Sequence, residues 1–338
     1  MLISCSEKGN GEAVQLLLDQ GAEVNAQGRK YGNALQAACA GGHQRVAEML
    51  LDKGAAVNAR GAFQNPTIWR AEENVSILYI TSTLGHEKLT EILLDRGAGV
   101  NDQAGHYGYA LQAACAGGYG RIVELLLGKG AQVSSQGGYY NNALQAACAQ
   151  GHEKITELLL DKGAGTNVQG GYYGNALQAA CAKGHAKITE FLLGKDADVN
   201  AQGGYWGNSL QAACAGGHEK IARTLLAKGA DGSAKGGKYE NALQAACVTG
   251  LVAIVELLVN AGVDFGGQDL MAALNIAEKL TSKGLVELLL HKFGDAYAHD
   301  SAEGEDKESS LRKYQRQLLL LVLTQRKRLL TVRENGVR

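Results

Sequence analysis

The sequence predicts an all-α solenoid, in which short helix pairs joined by hairpin fingers are stacked side by side. Three observations predict it. The dipeptide Leu-Gln recurs every 33 residues from Leu111 to Leu243, and a fixed period of that length is typical of repeat architectures. Each period holds an alanine-rich segment followed by an amphipathic one. The 338 residues include 46 glycines and a single proline, enough glycine to end each element after a few turns.

The Leu-Gln register defines about nine units, of which the first is truncated and the last is eroded, followed by a C-terminal helix. Its members are Leu35-Gln36, Leu111-Gln112, Leu144-Gln145, Leu177-Gln178, Leu210-Gln211 and Leu243-Gln244. Leu111 follows Leu35 by two periods and ten further residues, so one unit carries an insertion. We place that insertion at 60–74, in the divergent unit marked by Leu78.

Each unit is predicted to contain two helices and a finger. Asn142 is a good N-cap for a short helix over 143–149, because its side chain can accept from amides of the first turn. Gly151 breaks that helix, and a second helix follows over 152–162. From Ile155 onward the second helix carries apolar residues at i, i+3 and i+4, so it buries one face and exposes the other.

The pattern of glycine and aromatic residues after the second helix predicts how that helix ends and how the chain continues into the next unit. Gly163 occupies the position of a left-handed C-terminal cap, and the matching residue of the next unit is Asp196, which tolerates that conformation better than most. The segment 169–174 is rich in glycine and tyrosine. We expect it to fold back as a hairpin-like finger.

Three further motifs recur at fixed positions in the period: Gly-His before the second helix, a triple leucine within it, and Gly-Ala-x-Val-Asn after it. They stand at Gly42-His43, Gly85-His86, Gly151-His152, Gly184-His185 and Gly217-His218, at Leu125-Leu126-Leu127 and Leu158-Leu159-Leu160, and at 21–25, 54–58 and 97–101. In these features the chain resembles the ankyrin repeat family over residues 1–293. Where that family has Thr-Pro-Leu-His, this chain has Asn-Ala-Leu-Gln, which explains the scarcity of proline.

The resemblance implies a solenoid that binds a protein or peptide rather than a catalyst. The recurring phrase Gly-Gly-Tyr-Tyr-Gly-Asn-Ala-Leu-Gln-Ala-Ala-Cys looks like the ankyrin arrays of fungal NACHT-type receptors and related fungal ankyrin proteins. That narrower similarity implies a sensing or scaffolding role. This sequence contains no Gly-x-x-x-x-Gly-Lys-Ser/Thr motif, so it holds no ATPase phosphate loop of its own.

Composition changes after the array, which gives three predicted segments: the repeat array at 1–293, an acidic linker at 294–309 and a basic amphipathic helix at 310–338. Three interpretations of the basic helix remain open. It caps the open end of the array, it binds a partner or an anionic membrane surface, or its cluster Arg326-Lys327-Arg328 is a nuclear signal.

Charge and hydropathy exclude several functions for the chain as a whole. The formal net charge is −1, without the basic excess expected of a nucleic-acid binder. The longest apolar run, 318–323, is far shorter than the ~20 residues that a membrane span needs. Seven cysteines in a long chain without a signal-peptide core indicate a reducing compartment, so we expect a cytoplasmic protein, with the nucleus as the alternative.

Cysteine recurs at one position of the repeat. Two interpretations are possible: the cysteines form a metal or redox site, or they are small buried side chains that fill the joints between helices. The series is Cys39, Cys115, Cys148, Cys181, Cys214 and Cys247. Neighbouring helices lie about 8–10 Å apart, whereas a disulfide needs Cα atoms within about 7 Å. The Cys-x-x-x-His pairs offer two ligands where structural zinc takes four. We therefore expect a small buried side chain at each helix joint, with no metal and no cofactor.

Binding residues are predicted where the units differ. One finger position is always aromatic and the preceding one varies, and three adjacent fingers carry aromatics at both. The candidate partner-binding residues are Tyr139, Tyr140, Tyr172, Tyr173, Tyr205, Trp206, His106, Lys183, Gln150 and Trp69. Tyrosine and tryptophan dominate binding hot spots. The alternatives are that one aromatic per finger merely packs on the next finger, or that Tyr139, Tyr172, Tyr205, Lys183 and His106 line an enzyme's substrate pocket.

Two further expectations concern the surface around the fingers. The first helices should floor a concave groove with small residues, at Ala37, Ala113, Ala146, Ala179, Ala212 and Ala245 and then at Gly41, Gly117, Gln150, Lys183, Gly216 and Thr249. The insertion at 60–74 either contributes to the binding face or is a floppy loop in a decayed unit.

Overall fold

The structure, a computed structural model, describes residues 1–28, 31–65, 70–263 and 265–300, with only the backbone for 64–65, 70–73 and 293–300. Trp69 and the basic helix predicted at 310–338 lie outside these ranges, as does 301–309 of the predicted linker. The chain divides into two compact units, Met1–Asp264 and Phe265–Arg338.

The first unit is a stack of short helix pairs, which confirms the predicted all-α solenoid. Its elements are α1 (Leu2–Glu7), α2 (Gly11–Asp19), α3 (Ala34–Ala40), α4 (Gln44–Asp52), β1 (Arg60–Asn65), β2 (Arg70–Ser76), α5 (Ile77–Leu84), α6 (Glu87–Asp95), α7 (Ala110–Gly117), α8 (Gly120–Gly128), α9 (Ala143–Gln150), α10 (Glu153–Asp161), α11 (Ala176–Lys183), α12 (Ala186–Leu193), α13 (Ser209–Gly216), α14 (Glu219–Ala227), α15 (Ala242–Thr249) and α16 (Val252–Asn260). The second unit begins with α17 (Gly267–Lys279) and α18 (Lys283–Asp300).

The predicted capping residues begin and end the helices. The Gln145 amide donates to Asn142 Oδ1 over 2.9 Å, and the same bond recurs at the start of most first helices. Gly151 ends α9 in the left-handed region, with φ of 81°, and Gly163 follows α10 with φ of 86°. Asp196 adopts φ of 59° at the matching position, as predicted from its tolerance of that conformation.

First helices of neighbouring units pack directly against one another, and their small side chains fill the joint. The six alanines expected to floor a groove are almost fully buried: Ala37, Ala113, Ala146, Ala179, Ala212 and Ala245. That expectation is wrong, because side chains this small allow adjacent helices to approach closely and are then enclosed between them. The residues at the C-terminal ends of these helices are exposed at five of the six predicted positions: Gly41, Gly117, Gln150, Lys183 and Gly216. The sixth, Thr249, is partly exposed.

The cysteine series also fills these joints, as predicted. All six thiols of the series are buried and free, and Cys148 Sγ lies 3.8 Å from Thr156 Oγ1 on the second helix of its own unit. Burial raises the pKa of Cys148, Cys181 and Cys247 to about 12. The thiolate, which is the reactive form, is therefore strongly disfavoured in the folded protein.

Side chains from each unit also bind the backbone of the next. Asn167 donates from Nδ2 to the Asp196 carbonyl over 3.0 Å and accepts at Oδ1 from the Asp198 amide over 2.8 Å. The same pair of bonds is formed by Asn25, Asn58, Asn101 and Asn200. The Gly-His histidines serve similarly, since His185 Nε2 lies 3.2 Å from the Ala149 carbonyl. The Gly-Ala-x-Val-Asn and Gly-His motifs thus fix the spacing between units.

The insertion forms a two-stranded antiparallel hairpin, in which β1 pairs with β2 around a bulge between Gly61 and Phe63. The interpretation as a floppy loop is wrong for these strands. Arg60 ties the hairpin to the following unit, because its guanidinium donates to the Gln103 carbonyl over 2.9 Å and lies 3.4 Å from the Asp102 carboxylate. Phe63 is buried, so the hairpin has an apolar anchor of its own.

The second unit contains the last helix pair that the structure describes. Leu270, Ala273, Leu274 and Ala277 of α17 are buried, and so are Leu285 and Leu289 of α18. Among the described residues, no helix is both long enough and apolar enough to span a bilayer.

Burial of the cysteine series predicts selective labelling. Iodoacetamide applied to the native protein should alkylate Cys5, which is partly exposed, and spare Cys39, Cys115, Cys148, Cys181, Cys214 and Cys247 until the chain unfolds. Peptide mapping by mass spectrometry measures each site. Native alkylation of any of these six at the rate found in denaturant would contradict their burial.

Candidate partner-binding site

Four consecutive fingers, at 135–141, 168–174, 201–207 and 234–240, are each held by a glutamine from the preceding first helix. Gln178 Nε2 lies within 3.0–3.2 Å of three carbonyl oxygens of the next finger, those of Ala201, Gly203 and Gly207. Gln112, Gln145 and Gln211 make equivalent bonds to the fingers that follow them. This is the structural role of the Leu-Gln register, since a buried amide satisfies carbonyls that would otherwise lack donors.

Within a finger the chain reverses over a few residues. The Gly203 amide donates to the Gly207 carbonyl over 2.7 Å, which closes a single antiparallel bridge. Gly204 has φ of 65°, and a Cβ atom there would collide with the Tyr173 carbonyl of the preceding finger. Glycine is therefore required at this position for two fingers to approach each other.

Successive fingers are linked in register by backbone hydrogen bonds. The Tyr139 amide donates to the His106 carbonyl over 3.0 Å, and the Tyr172 amide donates to the Tyr139 carbonyl over 3.1 Å. The amides of Tyr205 and Lys238 continue the series over 2.9 and 3.0 Å. These bonds fix five consecutive fingertips at a constant spacing.

Five of the always-aromatic finger positions form, together with Tyr79 of α5, what we call the inner row: Tyr79, Tyr107, Tyr140, Tyr173, Trp206 and Tyr239. Ring centroids from Tyr79 to Tyr173 are 5.9–6.4 Å apart, and Trp206 stacks on Tyr239 at 5.9 Å. Tyr107, Tyr140 and Tyr173 are 4–8% exposed. For these three rings the packing alternative is confirmed, since each contacts the rings of neighbouring fingers.

The variable positions form a second stack, the outer row, consisting of His106, Tyr139, Tyr172, Tyr205 and Lys238. Its four rings lie 5.0–5.2 Å apart with interplanar angles of 16–25°. Lys238 completes the row, with Nζ 5.1 Å from the centroids of both Tyr205 and Tyr239. Tyr205 is 37% exposed, and Tyr139 and Tyr172 are partly exposed.

The two rows support each other edge to face. Within single fingers the rings of Tyr139 and Tyr140, and those of Tyr172 and Tyr173, are nearly perpendicular, with centroids 4.9 and 5.0 Å apart. Burial raises the pKa of all four phenols, and the neighbouring tyrosines raise it further. The neutral phenol, which is already the dominant form of tyrosine at neutral pH, is thus favoured further in the folded protein.

The structure brings most of the predicted site residues together. Tyr139, Tyr140, Tyr172, Tyr173, Tyr205, Trp206 and His106 all belong to the two rows. Gln150, at the end of α9, joins them by donating from Nε2 to the Tyr140 hydroxyl over 2.6 Å. Lys183 is exposed at the matching end of α11. Trp69 lies outside the described residues, so the structure does not test it.

Sequence reasoning missed three kinds of contributor. Tyr79 heads the inner row from inside a helix, where its hydroxyl accepts the Tyr107 amide over 3.2 Å. Lys238 occupies the variable finger position but was not predicted as a site residue. The glutamines that hold the fingers were treated only as a register marker, although their recurrence at one position of six units was the signal that could have identified them.

The structure gives no support to a metal site in the part of the chain that it describes. No group of three histidine, cysteine, aspartate or glutamate side chains there is arranged to hold an ion. In the Cys-x-x-x-His pairs, the cysteine is buried in the helix joint and the histidine faces a backbone carbonyl, as His152 Nε2 does at 3.4 Å from Ala116.

Comparison with known families agrees with this architecture. The family described as Ankyrin repeats (3 copies) matches residues 1–61, 110–203, 165–235 and 210–300, which together cover most of the chain. The chain therefore belongs to the ankyrin repeat family. The segment 62–109, between the matched ranges, includes most of the inserted hairpin. A search of curated proteins finds no match.

Replacing the finger-holding glutamine tests its contribution to stability. Gln178→Met keeps the side-chain length but removes the Nε2 donor, leaving finger carbonyls unpaired. We expect the free energy of unfolding to fall by about 1–3 kcal/mol. Urea denaturation measures it, and Gln136→Met, at an exposed position, is the matched control. Equal effects of the two substitutions would contradict the role of Gln178.

The raised tyrosine pKa values predict loss of stability at alkaline pH. Because folding favours the neutral phenol, this contribution is complete below the unfolded-state pKa of about 10 and declines as pH rises above it. Urea midpoints between about pH 8 and pH 12 measure the decline. Tyr173→Phe should flatten it relative to Tyr119→Phe, a control outside the two rows. If the urea midpoint of Tyr173→Phe declined with pH as steeply as that of wild type, the attribution of the decline to the buried tyrosines would be contradicted.

Proposed function

We propose that this chain is a non-catalytic recognition module that binds a protein or peptide along the outer row and the exposed ends of the first helices. Ankyrin repeats are generally protein–protein interaction modules. The observation that carries the proposal here is a row of stacked aromatic side chains, partly exposed, on fingers locked together by backbone hydrogen bonds. The predicted site residues other than Trp69 lie on or beside this row.

Preorganisation makes this surface suited to binding. Immobilising a side chain on association costs roughly 0.5–1.5 kcal/mol when it was mobile before. Tyr139 and Tyr172 are already held between neighbouring rings above and below, so little of that cost remains. Tyrosine also combines a large apolar ring with a hydroxyl donor, which is why it recurs at binding hot spots.

The enzyme alternative has weaker support. Ankyrin repeats are typically non-catalytic. A general base works best with a pKa near the operating pH, whereas the phenols of Tyr139, Tyr172 and Tyr173 have their pKa values raised, away from neutrality.

Two finer points belong to the same proposal. The similarity of the finger phrase to the arrays of fungal NACHT-type receptors favours a sensing role, and the free buried cysteines favour the reducing environment of the cytoplasm. The array at 1–293 is then the recognition domain. Of the predicted linker at 294–309, the first part is wrong, because α18 extends to Asp300. The basic helix at 310–338 is a separate module that caps the array or docks elsewhere.

A triple substitution in three adjacent fingers tests the proposal. Peptides are selected from a displayed library on the wild-type protein, and their affinities are remeasured on Tyr139→Ala/Tyr172→Ala/Tyr205→Ala. We expect a loss of about tenfold or more, as for hot-spot residues. Circular dichroism verifies that the variant is folded.

The matched control changes the exposed lysines of the second helices in the same units, Lys154→Ala/Lys187→Ala/Lys220→Ala. Their surface ion pairs contribute little to stability, so this variant should bind within about twofold of wild type. If the selected peptides bind the finger variant within about twofold of wild type, the outer row is not the binding site.

A further inference from the structure

The stacking of the outer row determines which part of each ring a partner can reach. Tyr139 lies between His106 and Tyr172, and Tyr172 lies between Tyr139 and Tyr205, with centroids 5.0–5.2 Å apart. The ring faces are therefore covered by neighbouring rings. The exposed parts of these tyrosines are their edges and hydroxyl groups.

Ring faces and ring edges have opposite electrostatic character. The face of an aromatic ring is electron-rich and attracts cations, whereas its edge is relatively positive. Stacking thus removes the surface that would attract a cationic partner. The last face of the row, that of Tyr205, is already occupied by Lys238 at 5.1 Å.

The charge around the row has the same sign as the ring edges. The fingers and first helices at 102–117, 135–150, 168–183, 201–216 and 234–249 contain three lysines, at 183, 235 and 238, one aspartate, at 102, and one glutamate, at 240. Lys183 and Lys238 are both exposed. The Asp102 carboxylate lies 3.4 Å from the Arg60 guanidinium. With that ion pair counted as neutral, this surface carries a local excess of two positive charges on a chain whose formal net charge is −1.

We propose that the outer row, if it is the binding site proposed above, takes an acidic peptide segment whose carboxylates accept from the tyrosine hydroxyls and pair with Lys183 and Lys238. Charge-assisted hydrogen bonds to carboxylates are stronger than neutral ones, and complementary charge also steers association. A basic segment finds neither an open ring face nor a carboxylate excess on this surface.

The probes are two random copolymers of matched length, one of glutamate with tyrosine and one of lysine with tyrosine. Binding to the full chain is followed by amide hydrogen exchange of the fingers at 203–208 and 236–241, so that contacts with the basic C-terminal segment do not contribute to the signal. We expect the glutamate copolymer to slow exchange there, less so as salt is raised, and the lysine copolymer to have no effect.

Charge reversal on the row is compared with charge reversal on the second helix of one unit. Lys183→Glu/Lys238→Glu should lower the affinity for the glutamate copolymer by about tenfold or more. Lys154→Glu/Lys162→Glu changes the net charge equally, and its affinity for the copolymer should stay within about twofold of wild type. Tyr139→Phe/Tyr172→Phe/Tyr205→Phe keeps the stacked rings and removes the hydroxyl donors, and should also weaken binding by about tenfold.

The proposal of an acidic partner would be overturned if both charge-reversed variants lost affinity for the glutamate copolymer equally. It would also be overturned if that copolymer did not slow amide exchange of the fingers. Protection of the fingers by the lysine copolymer would overturn it as well, yet would leave the outer row as a peptide-binding surface. Failure of the proposed function is distinct, because it appears as unchanged affinity of library-selected peptides for the triple alanine variant.

Discussion

The stacking of one finger on the next is the constraint on which the candidate site depends. A buried glutamine amide supplies donors to the carbonyls of the following finger, and fingertip amides bind the preceding finger over 2.9–3.1 Å. Because the fingertip bonds join backbone to backbone, the side chains at the fingertips are free to vary. The rings are then brought within stacking distance by the backbone rather than by their own attraction.

The same arrangement explains why the two aromatic positions differ in exposure. The inner row lies against the first helices, where Gln150 donates to the Tyr140 hydroxyl, and its rings from Tyr107 to Tyr173 are buried. The outer row rests edge-on against the inner one and keeps a partly exposed edge. One row therefore stabilises the array, and the other remains available for recognition.

The periodic features of the fold could be predicted from the sequence. Caps such as Asn142 and Gly163, the left-handed Asp196, the buried cysteines and the finger reversals are all local consequences of residue type, repeated often enough to be recognised. The groove floor was mispredicted at Ala146 and its equivalents, because one sequence does not specify how closely adjacent first helices pack. The hairpin at 60–76 was not predicted as strands, since it occurs once and has no second copy to compare.

The candidate site was predictable in part for the same reason. Variation at one finger position identified Tyr139, Tyr172 and Tyr205, but the contacts between fingers are separated by one full period in sequence. Neither the covering of ring faces nor the position of Lys238 over Tyr205 follows from residue type alone. Both depend on the register set by the backbone, which determines the polarity of the exposed surface.

The outer row is a fixed stack, and nuclear Overhauser contacts between its rings test that most directly. With tyrosine selectively labelled, cross-peaks are expected between the rings of Tyr139 and Tyr172 and between those of Tyr172 and Tyr205. Slow exchange of the fingertip amides should accompany them. Rings with averaged chemical shifts and no mutual cross-peaks, in a protein whose helices are folded, would contradict the account.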